Sequence, residues 1–215
     1  MLPVRCPNEE TMHEELFGQQ VERLVGCGYP GALGMSVEEF RSWLVPLTNL
    51  LRKVGGTTPG HIPFLIVVPH GMLPIERQIG LLVVAKKRGY AGSLGGEKFV
   101  NIDGIGSSKF PYLIRDVNDG VTTVGQTTAA AMTSIRRACR NGLTVEEGIA
   151  LAVHSPDLLL QHSLALIDTD YNGYIPELWL CACGPTFTFD FPISKREGRG
   201  VPYGGRRLTL DRGML

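Results

Sequence analysis

The segment Asp168-Thr-Asp-Tyr-Asn-Gly-Tyr-Ile175 carries side-chain oxygens at its first, third and fifth positions, Gly at the sixth and Ile at the eighth. That spacing begins a calcium-binding loop of the EF-hand type, with Asp168, Asp170 and Asn172 as oxygen ligands. The bidentate acid expected at the twelfth position is missing, because that residue is Trp179. A polar β-turn explains the same residues, since turns select Asp, Asn and Gly anyway. Three histidines form a second candidate. His70 follows an apolar run, His154 lies seven residues after Glu147, and His162 is close by in sequence. Three imidazoles and a carboxylate are a zinc-type donor set, but neither H-x-x-x-H nor H-E-x-x-H spacing is present. Glu147, His154 and His70 could equally serve as acid, base or ligand in a metal-assisted reaction. If one helix carries Glu147 and His154, they lie on one side about 10 Å apart. Glu147 also completes a T-x-x-E capping box with Thr144, which is a structural reason for its presence. On that reading alone, Glu147→Gln should leave the melting temperature nearly unchanged.

Other chemistries lack their motifs. There is no G-x-S-x-G elbow, and no cysteine with a patterned histidine partner. The Gly55-Gly56 and Gly95-Gly96 pairs fit neither phosphate-binding glycine pattern. Arg136, Arg137 and Arg140 form one helix face, solvated by default and an anion or partner patch otherwise. Of five cysteines only Cys181 and Cys183 are close in sequence. On one strand they would sit side by side on one face, but C-x-C is not the C-x-x-C spacing of redox or zinc sites. The odd count and the scatter favour small buried thiols in a reducing cytoplasm. The first residues lack the apolar stretch of a signal peptide.

Composition limits the partners. The chain has 215 residues, 43% hydrophobic and 20% charged, enough for one core. Its 21 basic and 21 acidic residues cancel, and they cancel within each half. Phosphate contacts need a basic surplus, so no nucleic acid partner is expected. The longest apolar runs are core-sized, so no membrane partner is expected either. A small molecule, a protein partner or a second copy of the chain remain as partners, and the cofactor is left unknown.

The elements that must position these residues follow from periodicity. Thr11 with Glu14 opens a helix carrying Phe17, Val21 and Leu24; Ser36 with Glu39 opens another, which should kink or restart at Pro46. Ile62 to Val68 reads as a strand buried on both faces, and Pro74 as the start of a short helix. Residues 86–108 read as loops with at most one short strand. Tyr112 to Val117 is a strand turned by Asn118-Asp119-Gly120; Thr128 to Arg140 is a helix, and Thr144 opens the next. Ser155-Pro156 should restart the chain as cap and first helical residue. Three late strands follow at 163–167, 177–183 and 186–191, with Gly184-Pro185 linking the last two. Phe187, Phe189 and Phe191 alternate onto one face, where they cap the core or meet a second copy. Residues 194–215 hold six Lys or Arg against two acids without a core stripe. The expectation is one α+β domain over 11–193: an N-terminal helix pair, a helical middle, and a mixed sheet with a C-terminal antiparallel hairpin. Residues 1–10 form a tail, and 194–215 a basic glycine-rich one.

An ordered set of stretches resembles an uncharacterised bacterial family, the domain of unknown function catalogued as 5701. They are Gly28-Tyr-Pro30, Ile62 to Val68, Asn101 to Ile105, Tyr112 to Gly120, Leu143 to Leu151 with His154 and Pro156, and Pro176-Glu-Leu-Trp179. Within them Arg115, Asp116 and Trp179 are the candidate ligand-binding side chains. Where the family often carries a cysteine pair, this chain has His162 and Asp170. The resemblance implies a shared fold and a cytoplasmic setting; it implies no reaction. The expected function is a small-molecule- or partner-binding accessory protein, its ligand held between the buried strand and the 128–162 helices.

Overall fold

The structure is a computed structural model that describes residues 9–91, 99–102, 109–190 and 198–210. Helix α1 (Glu9–Cys27) buries His13, Phe17, Gln20, Val21 and Leu24 along one stripe. Thr11 lies inside its first turn rather than ahead of it, because Glu9 and Glu10 already suit a helix start. After α2 (Tyr29–Leu33), the Ser36–Glu39 capping box opens α3 (Val37–Leu44). Both reciprocal bonds form, at 3.1 and 2.7 Å. The helix restarts at Pro46 as a 3-10 segment, Val45–Lys53, since proline offers no N–H to an α-turn.

Strand β1 (Ile62–Val67) leads to α4 (Ile75–Leu81), which is capped by Pro74. The next 3-10 turn and helix are preceded by the β2 (Val83–Val84)–β3 (Lys87–Arg88) hairpin, by β4 (Val100–Asn101) and by β5 (Tyr112–Val117). Residues 86–108 therefore supply two short strands where one at most was expected; 92–98 and 103–108 lie outside the described residues. Helix α5 (Thr128–Arg137) stops before Arg140, because the chain reverses at Cys139 with φ +52°. After β6 (Asn141–Gly142), the Thr144–Glu147 capping box opens α6 (Val145–His154). Pro156 sits in a turn, and α7 (Leu158–Gln161) begins two residues later.

The remaining strands are β7 (Ser163–Ala165), β8 (Thr169–Asp170), β9 (Ile175–Cys181), β10 (Gly184–Asp190), β11 (Arg199–Gly200), β12 (Tyr203–Gly204) and β13 (Arg207–Leu208). One sheet runs β1-β5-β13, antiparallel throughout. The other runs β10-β9-β7-β11, and its β7–β11 pair is parallel. Small pairs β12–β6, β2–β3 and β4–β8 complete the α+β domain. Among the described residues no helix is long and apolar enough to cross a membrane.

Three expectations give way. The β9–β10 turn is Ala182-Cys183, and Gly184 already pairs with Cys181. Gly184 is needed because a Cβ there would stand 2.3 Å from the Arg88 carbonyl oxygen. Cys183 is thus in the turn and does not share a strand face with Cys181. Finally, 198–210 belong to the fold: β11, β12 and β13 each pair with an earlier strand. Their short two-residue strands are too brief to show an apolar period. The described part of the aromatic stripe packs against other side chains of the chain. Phe187 is buried and Phe189 stacks on Tyr171 at 3.9 Å between centroids, with Phe99 against both; Phe191 lies outside the described residues.

The core lies around α6, where every residue from Val145 to Val153 is buried. β1 is an edge strand, yet α1 closes its open edge. The Gln20 amide donates to Phe64 O at 2.7 Å and accepts from Ile66 N at 2.8 Å, as a neighbouring peptide would.

Candidate functional site

A helix buried on all sides must satisfy any polar side chain it carries. At its N-terminal end α6 brings two carboxylates inside, Glu146 (3% exposed) and Glu147 (0%). Glu147 Oε2 accepts the Thr144 N–H at 2.9 Å and Arg207 Nη2 at 2.8 Å, while Arg207 Nε donates to Oε1. Asp168 lies 3.6 Å from the same guanidinium. The Tyr112 hydroxyl stands between the carboxylates, 3.1 Å from Glu146 Oε1 and 3.2 Å from Glu147 Oε1. Having one proton, it donates to one of them at a time. Glu146 Oε2 receives the His70 main-chain N–H at 3.1 Å and lies 2.5 Å from His70 Nδ1.

The charges respond accordingly. The hydrogen bond to Glu146 raises the His70 pKa, against the opposing effect of burial. Burial opposes the Arg207 cation, but Glu147 outweighs it and holds the guanidinium above its ordinary range. Burial, then Glu147 and Glu146, push the Tyr112 phenol well up. A chain of polar groups thus runs from half-buried His70 through Glu146, Tyr112 and Glu147 to Arg207 and Asp168.

A second constellation forms where β5 leaves regular geometry. Asp116 adopts φ +52°, a left-handed conformation that strains an ordinary side chain. Its Oδ1 accepts the Thr58 N–H at 2.9 Å and lies 2.9 Å from His61 Nδ1. Its Oδ2 accepts from the Thr58 hydroxyl at 3.0 Å and from Arg140 Nη2. Partial burial opposes ionisation, but Thr58 and Arg140 outweigh it and hold the carboxyl below its usual range. Tyr203 packs edge-on against His61 at 5.7 Å between centroids. His61 Nδ1 also lies 3.2 Å from Arg140 Nη2, so Asp116 and Arg140 together hold the imidazole through that one nitrogen.

His61 lines a cavity of about 520 Å³ between the start of α1 and residues 57–63, shared with His13, Met12 and Leu16. Leu16 and Gln19 also wall an adjoining cavity of about 350 Å³, bounded by β1 and by His154 at the end of α6. The two cavities lie side by side along α1, with Leu16 and Gln19 common to both walls. His154 Nε2 lies 3.3 Å from Ile66 O, and Nδ1 is buried without a partner among the described residues. Burial drives the His154 pKa down to about 4, so the ring is neutral near pH 7, with Nε2–H donating and Nδ1 an open acceptor.

The structure thus joins His70 to Glu147 through Glu146 and Tyr112, and places His154 elsewhere, beside the smaller cavity along α1. Asp116 lines neither of these two cavities and meets the larger one through His61. Arg115 instead reaches Lys53 O at 3.3 Å. Trp179 lines a separate cavity of about 300 Å³ with His162 and Glu177. His162 Nδ1 lies 3.0 Å from Ser163 O, while Glu177 pairs with buried Arg199 at 2.7 Å. Asp168 is buried beside Arg207, whereas Asp170 accepts the Gly173 N–H at 3.2 and 3.1 Å. Asn172 (φ +54°) and Gly173 (φ +82°) form a two-residue turn between bridged Tyr171 and Tyr174. Among the described residues no group of three or more His, Cys, Asp or Glu is placed to hold a metal ion.

Glu146, Tyr112, His61 and Arg207 were not singled out from the sequence, and Arg140, read as part of a helix face with Arg136 and Arg137, instead lies beyond α5 and meets Asp116. Glu146 was visible beside Glu147, as a second acid on an apolar helix. Nothing in the sequence links His61 to Asp116 or Arg207 to Glu147, which meet across 55 and 60 residues. No curated protein and no solved structure matches the chain. A model of a family of unknown function, DUF5701, matches residues 23–181. The carboxylates Asp116, Glu146, Glu147 and Glu177 fall inside that span, and the arginines Arg199 and Arg207 that pair with two of them fall after it. The chain therefore belongs to the DUF5701 family of unknown function.

Proposed function

We propose that the protein binds a small molecule in the larger of the two cavities along α1. The observation that carries this reading is Asp116, whose strained backbone directs a buried carboxylate onto His61 at the cavity wall. Strain of this kind costs about 1–3 kcal/mol and persists where the surroundings fix it, which is common at ligand sites. The larger of the two cavities, at about 520 Å³, has the size of ordinary ligand pockets. Its wall is apolar at Met12, Leu16, Pro59 and Pro63, and polar at His13 and His61 as well as at Glu9, Glu15 and Thr58. His154 borders the smaller, adjoining cavity.

Asp116→Asn tests this directly. Asparagine tolerates the left-handed backbone, removes the charge and replaces one acceptor oxygen with an N–H donor. Native mass spectrometry of the wild-type protein as purified should show a retained small molecule, and Asp116→Asn should lose it while melting within a few degrees of the parent. A fragment screen by amide NMR should perturb Thr57–Ile62. Wild-type protein that carries no adduct and shows no perturbation there with any fragment refutes the reading. A second reading, acid–base catalysis, rests on His70 backed by buried Glu146. In it His70 would exchange the proton, and Glu147 and His154 would not act together.

A further inference from the structure

The β9–β10 hairpin carries chemistry that the cavities along α1 do not use. Across its Ala182-Cys183 turn, Cys181 Sγ lies 3.2 Å from the main-chain nitrogen of Cys183 and 3.8 Å from the Tyr90 hydroxyl. The Cys183 N–H donates to the sulfur and the Tyr90 hydroxyl is able to, and donors to sulfur favour the thiolate; the neutral thiol in turn donates to Gly184 O at 3.2 Å. Partial burial opposes the anion, but the Cys183 N–H and the Tyr90 hydroxyl outweigh it, and the thiol falls below its ordinary range. Lys87 Nζ donates to Ala182 O at 2.8 Å and so keeps a cation beside the turn. Tyr90 is held by its N–H on Pro185 O at 3.0 Å. Gly184 presses on Arg88, which seats the hairpin tip on β3. Cys181 is half-buried and Cys183 is exposed, so both are accessible to a small reagent.

We propose that Cys181 and Cys183 form a reversible oxidation site for hydroperoxides, with Cys181 as the attacking sulfur and Cys183 as the resolving one. With hydrogen peroxide, the Cys181 thiolate attacks one oxygen. An S–O bond forms, the O–O bond breaks, and hydroxide leaves and takes a proton to become water. The Cys183 thiol then loses its proton and attacks the sulfenic sulfur: an S–S bond forms, the S–O bond breaks, and a second water leaves. Two electrons pass from the sulfur pair to the peroxide. A disulfide across a single intervening residue is strained and exposed, and small thiols reduce such bonds readily.

The test uses the reduced full chain and one equivalent of hydrogen peroxide, read by peptide mass mapping. The peptide holding both cysteines should lose two hydrogen atoms and regain them with dithiothreitol. Cys183→Ser should instead accumulate a dimedone-reactive sulfenic acid on Cys181. Iodoacetamide at neutral pH should label Cys181 about tenfold faster than exposed Cys139. Equal labelling of the two overturns the proposal, as does first oxidation at Cys139 or a disulfide between chains in place of the internal one.

Discussion

At its N-terminal end α6 carries Glu146 and Glu147 into the interior, and each of their four oxygens meets a donor. At its C-terminal end His154 satisfies one nitrogen on Ile66 O and leaves the other buried and open. Both ends take polar groups out of water, which is unfavourable unless partners replace the lost hydration. The saturated end ties β1, β5, α6 and the C-terminal strand β13 into one unit. The unsaturated end borders a cavity but keeps its unpartnered nitrogen inside the protein. The difference separates groups that hold the fold from one left open, although the residue types are those of any acid–base site.

Removing one partner of the saturated end should have the largest effect. Arg207→Met leaves Glu147 and Asp168 facing each other in the interior, and should destabilise by about 3–5 kcal/mol in urea unfolding. The pair Arg207→Met with Glu147→Gln should recover part of that loss. Glu147→Gln alone should also destabilise clearly, because it strands buried Arg207; the capping box alone would have predicted almost no change. A single Arg207→Met loss below about 1 kcal/mol would remove the contrast between the two ends.

The open end should show itself in acid. His154 has its folded pKa depressed to about 4 from 6.5, so the unfolded chain takes up a proton that the folded one refuses. Stability is complete above the unfolded value and falls as pH drops from 6.5 to about 4, by about 3 kcal/mol in all. His154→Gln keeps a donor for Ile66 O and should flatten this part of the pH profile. An unchanged slope would assign the acid sensitivity to other groups.

The smallest effect belongs to an exposed pair that resembles the buried one in geometry. Arg41 donates to both Glu22 oxygens at 2.9 Å, but both side chains are about half exposed. Arg41→Gln should leave the unfolding free energy within measurement error of the parent, because water already solvates both charges. A loss comparable to that of Arg207→Met would mean that bidentate geometry, and not burial, sets the scale.

Local signals were legible where neighbours in sequence are neighbours in space. The Ser36 and Thr144 capping boxes form as their spacing requires, and Pro46 interrupts its helix. β5 spans the residues its apolar run marks. Asp116 could be singled out, and so could Glu147 and His70, but their partners could not. A hydrogen bond between residues 55 apart leaves no periodic trace, since periodicity reports only which face of one element is apolar. The basic 194–215 segment shows the same limit. Arg199 and Arg207 look like solvated tail charges until the strands that carry them bring each against a buried carboxylate.

The sequence by itself determined the α+β class, the capped helices and the buried strand, because these follow from backbone periodicity and from side chains acting within a few residues of their own position. Tertiary structure alone decided which polar groups are paired and which are open. It put Glu147 and His154 of one helix into different networks, set His61 on Asp116, and placed Cys183 in a turn against Cys181. The physical reason is that charge and hydrogen-bond capacity are fixed by residue type, while desolvation and partner distance are set by chain segments that meet only on folding.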